Sequence, residues 1–479
     1  MSSSMIQIGK RAFLLAFFII FGLMMVSGIL TRVVEPGSYD RIEVDGRSQV
    51  VPGSYAPLPQ QDYPVWRWFT APVEVLAAPG NVAVIAIIVF LVVVGGSFTV
   101  LERADVLGAF LRVVGARMKQ RRFLLMALMQ LFFLVSGAIL GIFEAMVPLV
   151  VFVVPLSHML GWDSLTGLGM SLLPLAFGFA AAVTNPFTIG VAQTIAELPL
   201  FSGAWLRVPF MFTVYVIVFL FVRRHARKIE AEPTSSPVWE ADRPLREGAA
   251  VEEHVELDPA LRRGLIWFGG SMALAVSFIV VTAQIPGLST LAFPVMALLF
   301  LIGGLGAGHR SGLGWASVGG AFGTGLRNML PGVLLIMMSM SVKHIVESGG
   351  IMDTILHQAA GFISQHPPVT AGFLMYGATL IMNFFIGSAS AKAFLMMPIL
   401  TPLADLVGVT RQTAVLAFGF GDGFSNMLYP TNALLIIGLS LTTVSYPTWL
   451  RWTLPLQLGV FVLSAVFLWF AISIGFGPF

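Results

Sequence analysis

The chain has 479 residues, of which 57% are hydrophobic and only 11% are charged. That is too little charge to cover the surface of a water-soluble protein of this length. There is no Cys, which excludes disulfides, thiolate metal sites and Cys nucleophiles. The net charge of +3 and the pI near 9.3 come largely from short basic loops between apolar runs. This is the pattern of membrane orientation, so no nucleic-acid partner is expected.

Lys10 and Arg11 precede an apolar run over 12–32. It exceeds the roughly 7–15 residues of a signal-peptide core and reads as a membrane span. A polar stretch, 35–80, suits a small external loop, and a second span follows at 82–101. Segment 103–121 is weakly amphipathic, with Leu107, Phe110, Leu111, Val114 and Met118 at helical spacing. Region 122–160 is apolar but interrupted near its middle, and 165–197 is a second interrupted stretch. A span over 205–222 closes the first half, residues 1–222. The polar segment 223–262 then opens on Arg223, Arg224, Arg227 and Lys228 and reads as a cytoplasmic linker.

Residues 263–479 begin with a connecting span at 264–283, followed by spans at 288–308 and 329–346. An amphipathic segment, 350–366, carries Ile351, Ile355, Ala359 and Phe362 on one face. Two further interrupted regions, 368–404 and 412–442, precede a last span at 453–473. With the N-terminus cytoplasmic, most of the 27 Lys and Arg fall inside. This requires 122–160 to be a re-entrant hairpin entered from the cytoplasm and 368–404 one entered from outside.

An internal repeat supports that arrangement. Ala176-Phe177-Gly178-Phe179 recurs as Ala417-Phe418-Gly419-Phe420, each followed at the same distance by a hydroxyl–Asn pair, Thr184-Asn185 and Ser425-Asn426. Pro155 to Gly161 likewise matches Pro402 to Gly408 in spacing. The expected fold is therefore an all-α polytopic membrane protein with two inverted-topology repeats. Each repeat holds a re-entrant hairpin and a broken transmembrane helix, within about nine full spans plus two hairpins.

The chemistry is expected at the interruptions. A broken helix frees N–H and C=O groups that hydrocarbon does not satisfy, so protein, water, an ion or a substrate must do so. Thr184-Asn185-Pro186 is one break; Ser425-Asn426 and Tyr429-Pro430-Thr431-Asn432 form the other. The oxygens of Thr184, Asn185, Ser425, Asn426 and Thr431 are candidate sodium ligands. The tips read Gly141-Ile142-Phe143-Glu144-Ala145 and Gly387-Ser388-Ala389-Ser390-Ala391-Lys392. Small residues there leave backbone N–H groups available to a carboxylate.

Glu144, Lys392 and Asp422 are the charges that matter within the apolar regions, each costing about 2.5–3.5 kcal/mol on insertion scales. Together with Asn185, Asn383, Ser388, Ser390, Asn426 and Asn432 they are candidate substrate contacts. The alternative is that the charges form internal ion pairs that hold the hairpins, and that the polar groups cap half-helices. The seven His lack metal-ligand spacing, Met-rich Ile336–Met340 reads as packing, and no phosphate-binding Gly-Lys motif supplies an ATP engine. The expected function is secondary active transport of a small amino acid or carboxylate. No cofactor is expected beyond sodium or protons as the coupling ion. Proton-coupled transport or exchange of basic amino acids is the alternative, and a membrane-embedded enzyme is disfavoured because no nucleophile–base or metal constellation sits at membrane depth.

The stretch Pro398-Ile399-Leu400-Thr401-Pro402-Leu403-Ala404-Asp405-Leu406-Val407-Gly408-Val409-Thr410-Arg411-Gln412, continuing through Phe420-Gly421-Asp422-Gly423-Phe424-Ser425-Asn426 to Tyr429-Pro430-Thr431, resembles the YfcC family of the ion transporter superfamily. That family is grouped with the anaerobic four-carbon dicarboxylate carriers. Asn185-Pro186-Phe187, Val191-Ala192-Gln193 and Leu200-Phe201-Ser202-Gly203 resemble its first half. The resemblance implies a bacterial inner-membrane carrier, a homodimer embedded in lipid, that works by an elevator motion. Carried over by position, Thr184, Asn185, Ser425, Asn426, Thr431 and Asn432 would line ion and substrate sites beneath the tips. The family's first tip has paired acids, whereas here Phe143 precedes the single Glu144.

Overall fold

The computed structural model describes residues 10–44, 47–59, 63–78, 81–106, 109, 119–141, 143–248, 258–282 and 292–477. Leu107, Phe110, Leu111, Val114 and Met118 of the amphipathic segment lie outside the described residues. The first half contains α1 (Lys10–Val33), α2 (Trp66–Glu74), α3 (Asn81–Arg103), α4 (Arg122–Val135), α5 (Phe143–Met146), α6 (Val150–Met159), α7 (Ser164–Ala181), α8 (Val191–Ile195) and α9 (Ala204–Ala231). A short α10 (Arg243–Gly248) leads to α11 (Pro259–Thr282), α12 (Ala292–Arg310), α13 (Trp315–Ser348), α14 (Met352–Ile363), α15 (Pro368–Phe385), α16 (Ala389–Val407), α17 (Arg411–Gly423), α18 (Ala433–Ser440) and α19 (Tyr446–Ser473). Strands are confined to the loop after α1. There β1 (Gly37–Ser38) pairs antiparallel with β4 (Ala56–Pro57), and β2 (Arg41–Val44) with β3 (Arg47–Val50).

Eight helices among the described residues are long and apolar enough to cross a membrane. Their outer faces agree with that. On α19, Leu458, Val462 and Trp469 are 58%, 60% and 54% exposed. Water would not tolerate so continuous an apolar stripe, whereas lipid requires it. The interior is different: every residue of α7 is buried, as is every residue from Gln412 to Gly423 on α17.

Two sets of helices pack around this centre. In one, α1, α3, α11, α12 and α13 lie against each other. In the other, α4, α6, α9 and α17 pack on α7, while α15 packs on α17 and α16 on α8. Helices α7 and α17 cross where only glycine fits, since a Cβ on Gly423 would fall 2.1 Å from the Ala180 Cα. Their ends meet crosswise. Ser164, at the start of α7, lies 3.3 Å from Thr443 beyond the end of α18. At the opposite pole, Arg411 at the start of α17 donates to Glu197 and to the Ala196 carbonyl, beyond the end of α8.

Hydropathy alone places several helix ends short, two of them by more than two turns. Helix α13 begins at Trp315 rather than 329, because its first turns are Gly-rich and only weakly apolar, and α9 runs on to Ala231. The linker is also less free than its polarity suggests. Asp242 is fully buried and accepts hydrogen bonds from the Ser164 N–H (2.8 Å), the Ser164 hydroxyl (2.7 Å) and the Thr443 hydroxyl.

Beside it, Asp163 caps α7 by accepting from the Thr166 N–H at 2.8 Å. Burial alone would raise the Asp163 carboxyl, but hydrogen bonds from His225, Ser236 and Thr166 hold it at about 2. A depressed carboxylate contributes stability in full above its ordinary range, and that contribution is lost as pH falls through about 2. Asp163→Asn should therefore lower stability by on the order of 2 kcal/mol at pH 7, with the gap to wild type narrowing below about pH 4 in thermal melts. Gly423→Val should lower the melting temperature well beyond Gly377→Ala, whose Cβ meets nothing within 4 Å.

Candidate functional site

The site is built on two interrupted helices. In the first, α7 ends at Ala182, held left-handed at φ 42°, and the chain restarts through a π-helical turn, Pro186–Gly190, that leads into α8. Asn185 caps the restart. Its Oδ1 accepts from the Phe187 N–H at 2.9 Å and the Thr188 N–H at 3.3 Å, while its Nδ2 donates to the Thr188 hydroxyl at 3.0 Å. The neighbouring Thr184 ties the break to the helix pair α4–α6: its N–H donates to the Ala138 carbonyl (3.1 Å) and its hydroxyl to the Ile139 carbonyl (3.2 Å). Gly141 forms the turn there. Its φ is +66°, and a Cβ would fall 2.1 Å from Asn185 Oδ1, so both conformation and space demand glycine.

In the second, α17 runs into a 3₁₀ turn, Phe424–Met427, and restarts at α18 with Asn432 as its cap. Asn432 Oδ1 accepts from the Leu434 N–H (2.9 Å) and the Leu435 N–H (3.4 Å). By role, then, Asn185 corresponds to Asn432. Spacing from the repeated tetrapeptide aligns it with Asn426 instead. The extra turn in the second break separates the two jobs: Asn426 Oδ1 accepts from Asn432 Nδ2 (2.8 Å) and Asn383 Nδ2 (3.1 Å).

Asn383, near the end of α15, organises the rest. Its Nδ2 also reaches the Ser425 hydroxyl (2.6 Å) and the Asp422 carbonyl (3.0 Å), and its Oδ1 accepts from Lys392 Nζ. Lys392, one turn into α16, forms an ion pair with Asp422 Oδ1, and both side chains are fully buried. Asp422 Oδ2 and the Thr431 hydroxyl are buried with no hydrogen-bond partner among the described residues. Asn383, Lys392, Asp422, Ser425, Asn426 and Asn432 are thus one connected network, and Thr184 and Asn185 belong to the other break.

The second tip meets the first break. The Ser390 hydroxyl donates to the Phe187 carbonyl at 2.9 Å, whereas Ser388 is exposed and caps the start of α16. Glu144 falls in α5, and its side chain lies outside the described residues. No group of three or more His, Asp or Glu among the described residues could hold a metal ion. A sodium ion would instead use neutral oxygens and a single carboxylate.

Sequence reading missed Arg207. It is 1% exposed and donates to the Ser202 (2.8 Å), Val183 (3.1 Å) and Phe201 (3.2 Å) carbonyls, with no acid paired to it among the described residues. The signal was available as a lone Arg four residues into α9. Ser339, inside the Met-rich run, also touches the site by donating to the Pro430 carbonyl at 3.1 Å.

A multi-pass helical protein with a buried ion pair beside paired helix breaks is built like a carrier, and the comparisons place it in a transporter family. The chain belongs to the C4-dicarboxylate anaerobic carrier family, DcuC, which matches residues 13–473. It is 30% identical over 477 residues to a protein of Escherichia coli K12 named as the putative basic amino acid antiporter YfcC, covering 94% of each. An uncharacterised protein of Haemophilus influenzae is 25% identical over 431 residues, covering 88% of this chain and 82% of that one. Among solved structures, the Alcanivorax borkumensis YdaH transporter covers 98% of this chain and is itself covered in full, at 17% identity and TM-score 0.42. Neisseria gonorrhoeae MtrF covers 97%, with 95% of its own chain matched, at 18% identity and TM-score 0.42.

Removing one partner of a buried pair strands the other charge, typically at about 3–5 kcal/mol. Lys392→Met should therefore be strongly destabilised, and Lys392→Met with Asp422→Leu should recover most of the loss in thermal melts. Failure of the double variant to recover would mean that Asp422 is not the partner that Lys392 needs.

Proposed function

We propose that this protein is a secondary active transporter of a small charged organic solute, an amino acid or a carboxylate. The observation that carries the reading is the Lys392–Asp422 pair, fully buried and linked through Asn383 to an interrupted helix. A buried ion pair is a poor means of stabilising a fold, so its presence at a helix break points to exchange of partners. A solute carboxylate competes with Asp422 for Lys392, and an ammonium group or sodium ion competes with Lys392 for Asp422. Either exchange needs its counter-charge at the same time, which links solute to coupling ion.

The geometry suits two inverted repeats with re-entrant hairpins, since the broken helices meet start to end. On this reading the N-terminus is cytoplasmic, the membrane is the bacterial inner membrane, and a homodimer moves by an elevator mechanism. The uncommitted Asp422 Oδ2 favours a cationic partner, sodium or the side chain of a basic amino acid, and so keeps exchange of basic amino acids as the second reading.

Two tests follow. In proteoliposomes, Asn185→Ala and Asn426→Ala should each abolish gradient-driven uptake while melting within a few degrees of wild type; wild-type flux from either would remove the site. In detergent, thermal stability screened with sodium against potassium, several pH values, and single amino acids or carboxylates should rise with the true ligand pair. Sodium-dependent stabilisation by one solute class would support coupled symport. Stabilisation by lysine or arginine alone, without sodium, would move the assignment to exchange.

A further inference from the structure

Beside the second tip lies a cavity of about 440 Å³, within the roughly 300–1,000 Å³ range of small-molecule sites. Its walls come from the loop after α1, the end of α13, the start of α14 and the arm α16. Ile386, next to the Gly387 tip, and Ala391 and Leu395 of α16 form its side nearest the breaks. Ala391 and Leu395 share one face of that helix. Lys392 is fully buried and turns away from the cavity onto Asp422, so α16 itself separates the cavity from the central network. On the reading that the N-terminus is cytoplasmic, the cavity faces outward.

Four charged side chains line it: Arg41, Lys343, Glu347 and Asp353. The lining thus carries two positive and two negative groups, and the two pairs are not equivalent. Asp353 is 4% exposed and saturated: Arg41 Nη2 donates to both its oxygens at 2.8 Å, and the Tyr39 N–H to Oδ2 at 2.9 Å. That pair builds the wall. Beside it the Tyr55 ring stacks on His357 at 3.9 Å and its hydroxyl meets that of Thr354 at 3.0 Å, which fixes the loop to α14. Lys343 and Glu347, one turn apart on α13, are 34% and 48% exposed and touch at 3.3 Å. An exposed pair of this kind contributes little to stability. An ammonium with three donors facing a carboxylate with two oxygens leaves capacity on both for a ligand.

We propose that this cavity captures the zwitterionic end of an α-amino acid, its carboxylate taken by Lys343 and its ammonium by Glu347. Both ligand charges hang from one carbon, so they bridge a pair in close contact without parting it, and the four charges alternate in sign. Val50, Leu58 and Leu395 offer apolar wall to the side chain. A dicarboxylate finds no place for its second charge, since Arg41 is already held by Asp353. The role rests on the transport reading above and narrows its solute to an amino acid, held against the second tip before the tip admits it.

The test uses the full chain with Asn426→Ala, which interrupts the central network and leaves every lining residue in place. Leucine binding in detergent is compared by equilibrium dialysis with that of isocaproate, which lacks the ammonium, and isopentylamine, which lacks the carboxylate. Leucine should bind about fivefold more tightly than either analogue, the gain that one half-exposed ionic contact gives. Lys343→Gln should erase the preference over isopentylamine and keep the preference over isocaproate, and Glu347→Gln should do the reverse. Both are surface changes on α13. Leucine binding no tighter than either analogue, or preferences unchanged in both variants, would overturn the site. If wild type takes up solute yet the Asn426→Ala protein binds no leucine, the capture site fails and the transport reading stands. Leucine bound with both preferences by a protein that transports nothing keeps the site and removes the transport reading.

Discussion

Backbone polar groups cannot be left open at membrane depth, and the polar residues around the two helix breaks are answers to that constraint. Each broken helix restarts beneath an asparagine whose side-chain oxygen takes two freed N–H groups. The carbonyl side is answered from elsewhere in the fold. Arg207 covers Val183, Phe201 and Ser202, and Ser339 covers Pro430. These contacts come from helices outside the breaks, so the interruptions hold their shape only while neighbouring helices stay docked. A helix break here is a shared property of several elements rather than a local defect.

The Lys392–Asp422 pair sits at the place where that sharing is densest. Asn383 bonds simultaneously to the lysine, to the backbone of α17 and to both polar residues of the 3₁₀ turn. Moving Lys392 therefore perturbs the break, and moving the break perturbs Lys392. Asp422 Oδ2 and the Thr431 hydroxyl stand outside this closed accounting. Each is a buried oxygen without a partner among the described residues, a cost that a cation bound there would relieve.

The polytopic helical class was legible in composition, and both interruptions were legible because Asn-Pro, Pro-Thr-Asn and small-residue runs are rare inside spans. The repeated tetrapeptide located the two broken helices but not the capping role, which falls to Asn432 rather than Asn426 because the second break contains an additional turn. Lys392 and Asp422 each stood out as charges in apolar surroundings. Their pairing did not, since 30 residues and a turn of helix separate them and no pattern in the sequence encodes how α16 leans on α17. Asp242 was invisible for the opposite reason: in an acid-rich stretch one carboxylate looks like its solvated neighbours. Arg207 resembled a boundary charge, and only the fold shows its guanidinium turned onto three carbonyls.

Asp242 has a consequence for how the chain holds together. Its carboxylate accepts from Ser164, at the entrance to the first broken helix, and from Thr443, just past the end of the second. The connector between the halves is thus also a staple across them, gripping the entrance to the first broken helix and the stretch just past the second. At this pole the halves are joined by side-chain contact as well as by the peptide. Two fragments separated after Gly248 would still carry matching surfaces, one with the carboxylate and one with the hydroxyl, and would have the means to find each other again in the bilayer.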